Sequence, residues 1–130
     1  MKRLLTAIGI LIALGLPLRA HCATTEQTFT VPTTAALAEL CADTSPSDPL
    51  MTAAQNFCQG YLQGAYHVLQ QVNAARAKPA FCIPKPAPTR TQAIAEFIRW
   101  TKDNPTEAAR PPADGVFEFL QSRFPCSGSK

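Results

Sequence analysis

The side chains with the most chemical potential in this 130-residue chain are four cysteines, Cys41, Cys58, Cys82 and Cys126, all beyond an N-terminal apolar run. Thiols can hold a metal, attack an electrophile or bridge. Metal binding asks for close pairs such as C-x-x-C, and none of the four has a neighbour at that spacing. Nucleophilic attack asks for a positioned base. The one histidine beyond residue 23, His67, falls in a helical pattern without a serine-nucleophile motif, an H-E-x-x-H or a glycine-rich loop. Glu96 and Glu118 lie on two amphipathic patterns that could face each other, although carboxylates in such places are ordinarily a solvated face. Bridging is what the pattern supports, because an even cysteine count in a small exported chain reads as two disulfides. These residues therefore point to recognition rather than reaction: no enzyme, no catalytic residue, no metal and no cofactor are expected.

Export is itself read from the first 23 residues. Lys2 and Arg3 precede an apolar run from Leu4 to Leu18, followed by RAHCA with its small alanines. This is the layout of a secretory signal peptide, and the run is short of the roughly 20 apolar residues that span a bilayer. Cys22 raises a lipoprotein alternative, for which Arg19 and His21 are poor neighbours. A cut near Ala23 leaves a leader, residues 1–23, and a single domain, residues 24–130, in the periplasm. Losing Lys2, Arg3 and Arg19 takes the formal charge from +3 to zero. The basic balance of the full chain is then no argument for nucleic acid or for stable membrane association.

The elements that must position these groups are helical throughout. Residues 24–32 read as a polar, extended leader and residues 33–42 as a short first helix. SPSDP, residues 45–49, breaks it. A long helix from Leu50 to Ala77 carries Ala54, Phe57, Cys58, Tyr61, Ala65, Val68, Leu69 and Val72 on one apolar face. Residues 78–88 hold four prolines and read as a connector. Thr89 with Gln92 matches a capping box and opens a helix with Ile94, Phe97, Ile98 and Thr101 inward, Trp100 at the edge, ending near Asn104. Residues 105–111 read as a turn, and Pro112 suits the first position of a last helix bearing Ala113, Val116, Phe117, Leu120 and Phe124. The expected fold is all-α, a compact bundle of about four helices stapled by two disulfides.

Four cysteines allow three connectivities. Cys41 ends the first helix and Cys58 lies two turns into the next, so a tight antiparallel turn brings them together. Cys82 precedes the third helix and Cys126 follows the last, so a hairpin of those two brings their outer ends together. The pattern favours Cys41–Cys58 and Cys82–Cys126. Gly60 and Gly64, beside Tyr61, lie on one helical stripe with His67 and Gln71. Two such glycines admit close approach of a backbone, either a neighbouring helix of the same chain or a partner. Arg90, Arg99 and Trp100 are a candidate recognition patch, against the plainer reading of Trp100 as core rim. Charge is also uneven: residues 24–75 carry four acids and no base, residues 76–130 nine bases and five acids.

Taken in order, FCQGYLQGAYHV, FCIPKPAPTRTQ, FIRWTKDNPTEAARPPADGVFEFL and RFPC resemble the Rap/Tai immunity proteins over roughly residues 37–126. The resemblance implies a small periplasmic helical protein, often a homodimer, that protects bacteria from type VI secretion effectors. It implies a partner that is a secreted effector, in its best known members a peptidoglycan amidase whose active-site cleft is blocked by a protruding segment. It places the four cysteines on the family's framework and Gly60, Tyr61 and Gly64 on its second-helix signature. Two proline-stiffened stretches are the candidates for the protrusion: residues 83–90, with Lys85, Pro86 and Arg90, and residues 103–112, with Asp103, Glu107 and Arg110. The alternative reading is a periplasmic stress protein or holdase chaperone that exposes apolar surface on acidification.

Overall fold

The computed structural model describes residues 24–126, so the expected leader peptide and its cut site lie outside the described residues. The order is a short 3-10 turn, Glu26–Thr30, then five helices: α1 (Thr34–Ala42), α2 (Met51–Ala74), α3 (Arg90–Asp103), α4 (Pro105–Ala108) and α5 (Pro112–Arg123). No strand occurs among the described residues, and no helix there is long and apolar enough to cross a membrane.

Local chemistry sets the helix starts. The Thr33 hydroxyl accepts from the Ala36 amide at 3.2 Å and caps α1. At α3 the expected capping box forms, with the Gln92 amide donating to Thr89 Oγ1 at 3.3 Å and the Thr89 amide to Gln92 Oε1 at 2.9 Å. Proline occupies the first turn of both α4 and α5, where its missing N–H leaves no bond unmade. Asp48 organises the α1–α2 turn: its carboxylate accepts from the Leu50 amide at 2.8 Å and the Thr24 amide at 2.7 Å, while the Thr24 hydroxyl donates to Asp43 at 2.8 Å.

α1 is the central element, packing on α2, α3 and α5 through Leu37 and Leu40, both essentially inaccessible. Around it an aromatic cluster closes the core. Phe119 meets Phe97 edge-on at 5.5 Å, Trp100 at 5.7 Å and Phe124 at 6.2 Å. Trp100 is thus a core-rim residue. Two disulfides staple this body, Cys41–Cys58 between α1 and α2, and Cys82–Cys126 between the proline connector and the segment after α5.

Several expectations need correction. The long helix ends at Ala74, not Ala77. Four residues of the expected 105–111 turn are α4, and the leader is not extended over Glu26–Thr30. Val68 and Val72, expected on the buried face of α2, are 60% and 51% exposed. The helix is about 36 Å long and outruns the elements that cover it. Gly60 and Gly64 are exposed, and a Cβ at either would meet nothing within 4 Å. No described helix packs there; α1 and α5 are the helices against which α2 packs most. The close approach occurs instead at Gly115, where a Cβ would fall on the side chain of Thr34. In α5 the inward residues are Gly115, Val116, Phe119 and Leu120, whereas Ala113 is exposed and Phe117 half-buried.

Candidate functional site

The proline connector between α2 and α3 is anchored at its start and open beyond. Asn73, near the end of α2, holds that start: its Oδ1 accepts from the Ala80 amide at 2.6 Å and the Phe81 amide at 3.3 Å, and its Nδ2 donates to the Phe81 carbonyl at 2.8 Å. The Cys82 amide donates to the Phe124 carbonyl at 2.7 Å, beside the Cys82–Cys126 bridge. Phe81 itself is buried. Past these ties, residues 83–88 make no hydrogen bond to other described residues; three of them are prolines, one after a cis Lys85–Pro86 peptide. Lys85 and Pro86 are exposed, and so is Arg90 at the first turn of α3, whose Nη1 reaches Gln59 Oε1 at 3.4 Å.

The second candidate stretch is built differently. Arg110 is held by Glu107 at 3.0 Å, Glu118 at 3.5 Å and Asp114 at 3.8 Å. The hydrogen bond from Arg110 to Glu107, with the surrounding carboxylates, raises the guanidinium further above its ordinary value. Its backbone carbonyl accepts from the Thr34 amide at 2.8 Å and the Thr34 hydroxyl at 3.0 Å, docking the stretch onto the start of α1. Asp103 is exposed and Glu107 half-buried. Arg90 and Asp103 stand at opposite ends of α3, about 20 Å apart at 1.5 Å per residue, so the two candidate groups do not form one patch.

Glu96 and Glu118 do not pair with each other. Glu96 takes a two-pronged contact from Arg123, at 2.6 and 3.2 Å, which holds its carboxyl below its ordinary value, and Glu118 joins the Arg110 group. His67 is exposed on α2 and its Nε2 pairs with the Gln63 amide at 2.8 Å. Tyr61 is half-buried against Phe57, and that burial pushes its phenol up. Among the described residues no cluster of His, Cys, Asp and Glu is arranged to hold a metal.

A family model for the Rap1a immunity proteins matches residues 33–126. The chain belongs to the Rap1a immunity protein family. The matched span opens on the cap of α1 and closes on Cys126, so it takes in all five helices and both disulfides. No curated protein and no solved structure matches the chain.

Sequence reasoning missed one part of the Rap1a-type scaffold beside the connector, an apolar recess of about 300 Å³. Ile83 and Pro88 of the connector wall it, Leu62, Phe97 and Leu120 form its floor, and Arg90 stands at its rim. Phe97 and Leu120 read in the sequence as ordinary core, and Ile83 and Pro88 as part of a connector. Only the meeting of α2, the connector, α3 and α5 leaves a gap between them. Asn73 carried no signal either, since an asparagine near a helix end usually faces water.

Proposed function

We propose that this chain is a periplasmic immunity protein that binds a secreted effector of a type VI secretion system and occludes its active site, with residues 83–90 as the inserted segment. In this reading residues 1–23 are the removed leader and residues 24–130 the mature domain. Membership of the Rap1a immunity family across the whole helical body is the observation that carries it. Physical chemistry agrees. An inhibitor loses least on binding when its contact surface is already ordered, and a disulfide, Asn73 and three prolines order this connector. Its backbone groups and the Lys85 and Arg90 charges remain available to a partner. The target class to test first is a peptidoglycan amidase. The same reading seats a second copy on the outer flank of α2, where Val68 and Val72 stand bare.

The test is inhibition of such an amidase by the purified protein. Changing Lys85 and Arg90 together to alanine is expected to weaken binding at least about tenfold, since hydrogen bonds to charged groups are each worth about 1.5–3 kcal/mol. The melting temperature should stay put. An unchanged dissociation constant by calorimetry would remove the connector from the interface.

A further inference from the structure

We propose that the recess behind the connector is an anchor slot for one large apolar or aromatic side chain of the protein partner, with an acidic residue beside that side chain meeting Arg90. The proposal rests on the immunity reading for there being a protein partner, and adds the chemistry by which that partner is gripped.

Size argues for a single side chain. At about 300 Å³ the recess lies at the lower limit of small-ligand pockets, too small for a long acyl chain with its headgroup. One buried aromatic ring is the usual filling of an interface hot spot. The lining argues for an apolar occupant: Gln59, Gln63, Tyr66 and Arg90 are its polar members, and the remaining eleven residues, Leu62, Phe97 and Leu120 among them, offer no hydrogen-bonding side chain. Charge argues for the neighbour. Among the residues lining the recess Arg90 is the one cation and none is acidic. Arg90 makes no ion pair among the described residues, and its contact to Gln59, at 3.4 Å, is at the outer limit of a hydrogen bond. By contrast Arg110 and Arg123 are already neutralised by carboxylates. An arginine left uncompensated at the mouth of an apolar slot favours an anion at that mouth. Position completes the case, because Ile83 and Pro88, which wall the slot, flank the exposed Lys85 and Pro86. A partner engaged with the outside of the connector would lie within reach of the slot behind it.

The test uses the isotopically labelled, disulfide-bonded protein exported to the periplasm, titrated in NMR with three probes: N-acetyl-Trp-Asp-amide, N-acetyl-Trp-Lys-amide and octanoate. The expected result is saturable shifts confined to the slot residues, with the aspartate peptide about fivefold tighter than the lysine peptide, the size of a partly exposed ion pair. Arg90→Ala should abolish that preference while leaving the ring to bind. Ala93→Trp, or Ala87→Trp should the first variant fail to fold, should fill the slot and remove binding of both peptides. Equal affinity for the two peptides, no saturable shift, or octanoate binding tighter than either peptide would each overturn the proposal, the last in favour of a small amphiphile. No effector enters this experiment, so its failure leaves the immunity reading standing. Failure of amidase inhibition, conversely, leaves the slot result intact.

Discussion

The two proline-rich connectors of this protein look alike as strings of residues and have opposite fates. The one entering α3 is tied down at its base and then runs six residues without a hydrogen bond to any other described residue. The one entering α5 folds into α4, buries Ala108 and Pro112, and gives its Arg110 carbonyl to Thr34. Proline content is shared; what differs is what the intervening residues can bond. Prolines alternating with other residues remove every second N–H, so Ile83–Pro88 has nothing regular to form. Prolines placed at helix starts leave Thr106–Ala109 free to close a turn. The first connector is free to be recognised, and the second is part of the scaffold.

The largest way to break this contrast is at the base of the open connector. Replacing Cys82 and Cys126 by serine removes a bridge over 44 residues, against 17 for Cys41–Cys58. In the chain-entropy account the longer loop contributes about 4 kcal/mol and the shorter about 3 kcal/mol, which denaturant titration of the two double mutants should resolve in that order. Next comes the docked connector: Gly115→Ala drives a methyl onto Thr34 and should destabilise by about 3 kcal/mol, with Thr34→Ala recovering part of the loss in a double-mutant cycle. Asn73→Ala leaves the Ala80 and Phe81 amides and the Phe81 carbonyl without their partner and should cost about 2 kcal/mol. It should also raise hydrogen exchange across residues 80–88 while residues 104–111 stay protected. The smallest effect is that of acid. Asp48, through the Thr24 and Leu50 amides, and Glu96, through Arg123, both have lowered pKa values in the fold. Their stabilisation is therefore complete above the unfolded carboxyl pKa of about 4 and is lost as pH falls below that. Thermal melts should be flat from neutral pH to about pH 5 and decline below about pH 4. Dye binding by a still-folded protein near pH 5 would instead favour the holdase reading.

What was legible in the sequence was whatever a local rule governs. Thr89 and Gln92 announce their cap, the prolines announce their breaks, and the placement of the cysteines along the helices favours their pairing. What stayed hidden depends on how far neighbours extend. Periodicity puts Val68 and Val72 on the same face as Tyr61 and Ala65, but it cannot say that no described element covers the flank of α2 that carries the two valines. The same blindness affects the glycines: Gly60 and Gly64 draw notice by their spacing, yet among the described residues a Cβ at either would meet nothing within 4 Å, whereas Gly115, alone in α5, is where two helices press together. That contact turns α5 so that Phe119 points inward and Ala113 outward. The candidate site divides in the same way. The exposed connector residues could be named from composition, while the recess behind them needs four elements in place before it exists.

The position of Thr24 has a consequence for the proposed mature domain, residues 24–130. In a chain cut after Ala23, the nitrogen that here donates as an amide to Asp48 becomes an ammonium, facing that carboxylate with Asp43 at the adjacent hydroxyl. Trimming would then create a charge pair at the hinge between the first two helices, beside one of the sulfur bridges. Near the surface such a pair would add modestly to the hydrogen bond that already joins Thr24 to Asp48.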